Sequence, residues 1–213
     1  MSEETSMLAE QFADAEQQSE ASHLGMWTFL ATEVLFFGGL FMAYILYRHL
    51  YPDAFALGSR HTNLLYGTLN TAILLTSSLT MALAVGAARE SNTKSTVRCL
   101  LLTIIFAAGF LVVKGFEYHE DFVEKLVPGP GFNAALPPRA AMFFWLYWAM
   151  TGLHAIHVTV GVGLLSVITV LARRGRFSSS YYTPVEVSGL YWHFVDLVWI
   201  FLYPLLYLID RHS

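Results

Sequence analysis

The residues able to do chemistry in this chain are few, and they lie where charge is least welcome. Glu33 sits in the run TFLATEVLFFGG with no other charged residue near it in sequence. His154 and His157 in TGLHAIHVTVG form an i, i+3 pair, as do His193 and Asp196 in YWHFVDLVWIFLY. Lys114 and Glu117 in KGFEYHEDF are three apart, and Glu120 follows at the same interval. An ionisable group at the centre of an apolar helix costs roughly 2.5 to 3.5 kcal/mol on insertion scales, so each calls for a partner or a purpose.

Glu33 should face other helices and be protonated or paired, because an isolated charge in a low-dielectric interior is expensive. Its readings are a hydrogen bond to another helix, or a site for a lipid head group or proton transfer. A metal ligand is disfavoured, since Phe36 and Phe37 occupy i+3 and i+4. His154 and His157 share one helical face, which suits interhelical hydrogen bonding, a metal pair or lipid contact. Gly152, Ala155, Thr159 and Gly163 collect opposite them as a small-residue seam where another helix can approach. His193 and Asp196 can bond to each other; a carboxylate behind a histidine orients a metal ligand or neutralises a buried polar group. Around them, Tyr191, Trp192, Trp199 and Tyr203 read as packing and interface anchors. Lys114, Glu117 and Glu120 read as an ion-pair ladder near the membrane surface, or as a docking point for another subunit or a lipid head group.

Enzyme signatures are otherwise missing. One HxxH is present, without the clustered histidine boxes of membrane desaturases; there is no Gly-rich phosphate loop and no CxxCH haem attachment. Glu117, His119 and Glu120 do not complete a di-iron set, because such bundles need a Glu-x-x-His pair from each of two helices and two further Glu. No metal or cofactor is therefore expected on this chain.

The elements that must position these groups are membrane helices. Of 213 residues, 55% are hydrophobic and 13% charged, against about 25% charged in soluble domains. Mean hydropathy is +0.51. The pattern predicts an all-α, polytopic transmembrane bundle of five helices, with spans at about 24–47, 64–88, 97–118, 139–172 and 187–208. Pro52 and Gly58 mark the first loop, Arg89 to Lys94 the second, the PGPGF run with Pro137 and Pro138 the third, and Arg173 to Pro184 the fourth. The fourth span exceeds a perpendicular crossing, so it should tilt or begin along the interface. Residues 1–23, with Glu3, Glu4, Glu10, Asp14, Glu16 and Glu20 and no Lys or Arg, form a solvated, partly helical acidic tail rather than a presequence. The transmembrane domain is 24–213. The lone Cys99 excludes an internal disulfide, and a net charge of −4 gives no reason to expect nucleic acid. An N-terminus inside places Arg89, Lys94, Arg98, Arg173, Arg174 and Arg176 in the cytoplasm, against Arg48, Arg60, Lys125, Arg139 and Arg211 outside.

Several of these stretches together resemble subunit III of the haem-copper cytochrome oxidases. TEVLFFGGLF (Thr32 to Phe41) is similar to the family segment whose membrane glutamate reacts with carbodiimides, which maps to Glu33. GLHAIHVTVG (Gly152 to Gly161) resembles the GxHGxHV stretch, with Ala155 where glycine is common. YWHFVDLVWIFLY (Tyr191 to Tyr203) resembles the final-helix signature, FEYHEDF (Phe116 to Phe122) the EY motif, and Glu186 a glutamate preceding the last helix. The resemblance runs from about Leu24 onward and covers the last five of the seven helices common in the family.

The resemblance implies an accessory, metal-free subunit in a bacterial cytoplasmic membrane. Haem and copper would reside in partner subunits I and II, which reduce oxygen to water and translocate protons. Subunit III would pack mainly on subunit I, bind phospholipid and protect the active complex. Glu33, His154, His157, His193 and Asp196 would then be lipid-binding or buried polar residues, and Lys114, Glu117, Glu120 and Glu186 would dock subunit or lipid. The alternatives are an accessory protein of a nitric oxide reductase or quinol oxidase, and a small independent transporter using Glu33 and Lys114.

Overall fold

A computed structural model describes residues 11–209. Glu3, Glu4 and Glu10 of the acidic tail, and Arg211 of the charge count, lie outside them. The chain forms α1 (Ala15–Leu50), α2 (Pro52–His61), α3 (Leu64–Arg89), α4 (Thr93–Val123), α5 (Ala140–Arg173) and α6 (Thr183–Tyr203). Five of these, all but α2, are long and apolar enough to cross a membrane, which makes this a multi-pass membrane protein.

The helix starts follow from local chemistry. Asp14 accepts from the Gln17 amide at 2.7 Å, Asn63 from Leu65 at 3.1 Å and Asn92 from Ser95 at 3.1 Å. Gly175, at φ 69°, turns the chain out of α5 in a conformation that costs glycine little. The longest helix is α1 rather than α5, with 36 residues against 34, because it begins at Ala15 within the acidic segment.

The first connection is not a plain loop. Pro52 and Gly58 read as breakers, yet Pro52 stands in the first turn of α2, where its missing N–H is no loss. Gly58 marks a close approach: a Cβ there would collide with the Phe143 ring on α5. Beyond α6, Pro204 cannot donate to the ladder, and Pro204–Leu208 widens into a π turn. Carbonyls of that turn are taken up by other elements. Ser59 Oγ lies 3.1 Å from Leu206 O and 3.0 Å from Ile209 O, its one proton serving either carbonyl, and Tyr44 donates to Leu205 O.

The bundle is arranged around α6. Of its apolar window, 56% is buried within the chain, against 17% for α1. It packs on α1, α3 and α5, while α4 lies against α3 and α5. Trp192 and Trp199, expected as packing or interface residues, are fully internal. Their indole N–H groups donate to Ser77 Oγ at 2.9 Å and Thr71 Oγ1 at 3.1 Å on α3.

The small-residue seam on α5 is not where its helices meet. A Cβ added to Gly152 or Gly163 would have nothing within 4 Å, whereas a Cβ on Gly161 would stand 2.7 Å from the Trp192 ring. The buried face of α5 runs through His154, Val158, Gly161 and Leu165, so the expected seam faces away from the rest of the chain.

Candidate functional site

The polar side chains separate into an outer pair, an inner cluster and two sets of surface ties. Glu33 on α1 meets His157 on α5, with Oε2 and Nε2 3.1 Å apart and both side chains less than a fifth exposed. His157 Nδ1 lies 2.8 Å from Leu153 O, so that nitrogen carries a hydrogen and donates to the carbonyl. The contact to Glu33 then requires one further proton, held by the imidazole or by the carboxyl, and either placement leaves the pair with no net charge. The Phe37 ring stands edge-on to the imidazole at 5.2 Å, and Tyr191 on α6 donates to His157 O at 2.9 Å. The pair therefore ties α1 to α5 and, through Tyr191, to α6.

His154 diverges from His157 despite the shared helical face. It is fully buried, its Nε2 donates to Val195 O on α6 at 3.1 Å, and Phe110 and Trp199 enclose its ring. The two histidines thus serve different helices rather than one ion. His193 and Asp196 do not bond to each other but share a neighbour: His193 Nδ1 is 2.8 Å from Ser78 Oγ on α3. The buried Asp196 carboxyl lies beside the same Ser78 hydroxyl, without a well-aligned hydrogen bond among the described residues.

The inner cluster contains the expected i, i+3 pairing of Lys114 and Glu117 and turns it into the bundle. Their side chains are 2% and 1% exposed, because residues 114, 117 and 121 fall on the face of α4 turned toward α5 and the π turn. Lys114 Nζ donates to Glu117 Oε2 at 2.9 Å, Tyr147 Oη at 3.1 Å and Tyr207 Oη at 2.8 Å. An ammonium has three N–H groups, and all three are used. The rings of Tyr118, Tyr147, Trp199 and Tyr207 lie 4.7 to 5.7 Å from the charge. Tyr207 donates to Glu117 Oε1 at 2.6 Å, and Tyr147 Oη lies 2.9 Å from Glu117 Oε1 and 3.0 Å from Asp121 Oδ2.

Glu120 does not continue the ladder. It leaves the interior and accepts from Tyr66 at 2.7 Å and Asn63 at 3.4 Å, fastening the start of α3 to α4. Glu186 likewise acts inside the chain, joining Arg89 at the end of α3 and lying 3.5 Å from His23 on α1. The Arg89 guanidinium also covers the Tyr182 ring at 5.4 Å. Both glutamates keep a partly open aspect, but their close contacts are intramolecular.

Sequence reasoning passed over Asp121, Tyr147, Tyr207 and Arg89. Asp121 had a readable signal, since it is i+4 from Glu117 on the face that begins at Lys114. The tyrosines had none, because α5 and the last turn are rich in aromatic residues throughout. Among the described residues, no three or more His, Cys, Asp or Glu side chains converge as a metal site.

Fold and site together define a class: an all-α polytopic membrane subunit whose internal polar groups chiefly satisfy one another. Comparison with known proteins gives the family. The profile described as Cytochrome c oxidase subunit III matches residues 6–210. The chain is 34% identical over 189 residues to a cytochrome c oxidase subunit 3 of Thermostichus vulcanus, covering 88% of this chain and 87% of that one. A protein of the same name from Corynebacterium diphtheriae is 31% identical over 206 residues, covering 96% of each. A fused protein of Aeropyrum pernix, named Heme-copper oxidase subunit I+III, is 33% identical over 190 residues, which are 86% of this chain and 22% of the fusion. This chain belongs to the cytochrome c oxidase subunit III family and is an accessory subunit of a haem-copper oxidase.

Proposed function

We propose that this subunit packs on subunit I of its oxidase, retains phospholipid beside α1 and α5, and lengthens the working life of the complex, while haem and copper in subunits I and II reduce oxygen. Fusion of the same unit to subunit I in the Aeropyrum pernix relative supports the first contact. The observation that carries the lipid reading is the Glu33–His157 pair, a proton-sharing group at the edge of the bundle. Lipid phosphate and ester oxygens present acceptors and charge to such a group at a depth where water is scarce. His154 and His193 hold helices rather than lipid in this reading, Asp196 is a buried polar residue, and Glu120 and Glu186 present their outer edges to partners. In this reading the start of α1 and the basic Arg173 to Arg176 cluster lie on the cytoplasmic side.

The test is Glu33→Ala in the whole complex. Assembly and initial oxygen consumption are retained, phospholipid per complex falls by mass spectrometry, and fewer turnovers precede inactivation. Unchanged lipid content together with an unchanged turnover lifetime refutes the reading.

A further inference from the structure

The inner cluster contains more short contacts than its ordinary protons can fill. Tyr147 Oη makes three short contacts, to Lys114 Nζ at 3.1 Å, Glu117 Oε1 at 2.9 Å and Asp121 Oδ2 at 3.0 Å, and stands beside the Tyr207 hydroxyl, whose own proton goes to Glu117. A phenol has one proton and two lone pairs. The ammonium of Lys114 fills one lone pair. The phenol's proton serves one carboxylate, and the other carboxylate oxygen would face a lone pair unless it brings a proton of its own.

The position of that extra proton follows from the remaining contacts. Glu117 accepts from the Lys114 ammonium on Oε2 and from Tyr207 on Oε1, an arrangement that favours its ionised form. Asp121 has no cation in direct contact, and the ionisable groups facing it are Glu117, Lys114 and Glu124 on α4 and Tyr147 on α5. The proton therefore resides on Asp121, and the cluster is neutral overall: one ammonium, one carboxylate, one carboxylic acid. Neutrality is what a site between apolar helices favours.

From this geometry we infer that Asp121, Tyr147 and Glu117 form a proton-binding relay, in which Asp121, buried near the C-terminal end of α4, holds an exchangeable proton and the Tyr147 hydroxyl passes it to Glu117. In the transfer the Asp121 Oδ2–H bond breaks as a new Tyr147 Oη–H bond forms. The original Tyr147 Oη–H bond breaks as Glu117 Oε1–H forms. The phenol ends as it began, one proton has moved from Asp121 to Glu117, and no side chain has to change place. Asp121 is the most exposed of the three, 6% against 0% at Tyr147 and 1% at Glu117. The ligand is the proton itself, and the inference does not depend on lipid binding at Glu33.

Infrared spectroscopy of the purified complex tests it. Wild type minus Asp121→Asn shows a carboxylic acid carbonyl band that shifts in D2O, whereas wild type minus Glu120→Gln, a control in the open contact with Tyr66, shows none. Loss of only carboxylate bands on Asp121→Asn means that Asp121 is ionised and overturns the inference. Should that variant fail to assemble, Tyr147→Phe gives an independent reading. Removing the acceptor of the Asp121 proton moves the acid band to higher wavenumber, and an unmoved acid region overturns the inference equally.

Discussion

The Glu33–His157 pair and the Lys114 cluster solve the same problem at different depths. Both place ionisable groups among apolar helices. At Glu33 the solution is one hydrogen bond between two partly open side chains, on the most exposed of the crossing helices. At Lys114 it is a set in which every ammonium hydrogen has an acceptor and four aromatic rings close the rest. Between these two regions, partnering is more complete where burial is deeper, as expected if the penalty for an unpaired charge grows as water recedes. The outer pair keeps capacity for a ligand; the inner cluster has spent nearly all of its own on the fold.

Substitutions can break or sharpen that contrast. The largest effect is expected from Lys114→Met, which leaves Glu117 as a buried carboxylate without its cation. Stability should fall by about 3 to 5 kcal/mol, seen as loss of assembled complex and a lower melting midpoint. Adding Glu117→Leu to Lys114→Met should recover much of that loss; a double variant as unstable as the single one would show that the charges do more than neutralise each other.

Next in size is Gly161→Ala, whose Cβ would enter the space of the Trp192 ring. It should destabilise by about 1 to 3 kcal/mol, while Gly163→Ala on the open face should stay within about 0.5 kcal/mol of wild type. Equal effects at the two glycines would contradict the assignment of packed and open faces. Glu33→Gln preserves a hydrogen-bonding group and should lower the melting midpoint by the equivalent of about 1 kcal/mol or less. A collapse as severe as that of Lys114→Met would remove the distinction between the two regions. Smallest is Arg89→Ala at the surface tie to Glu186, expected at about 0 to 1 kcal/mol and diminishing as salt is added to the melting buffer.

The bundle was legible because apolar runs of membrane length leave few other folds, and Glu33 because an isolated charge in such a run demands a partner. Which group on another helix it meets is decided only by the geometry, which selects His157. Pro52 and Gly58 misled for a physical reason: proline is at home in a first helical turn, and glycine marks close approach as readily as a bend. The small residues of α5 mark a face that this chain's own helices leave open, since lack of a side chain permits contact without specifying what arrives. The pairing of Lys114 and Glu117 was legible from their spacing, but not the way the pair faces. Their burial depends on Tyr147 and Tyr207, which are distant in sequence and alike to their aromatic neighbours.

That Lys114 and Glu117 are three residues apart on one helix bears on how the chain is made. The i, i+3 contact forms as soon as α4 coils, before Tyr147 and Tyr207 have left the ribosome. A lysine and a glutamate then enter the lipid together as a mutually compensated pair, which eases the insertion of α4 at a stage when its later neighbours do not yet exist. Had either charge been placed on a later helix, α4 would have to wait in the translocon for a counterion still being synthesised.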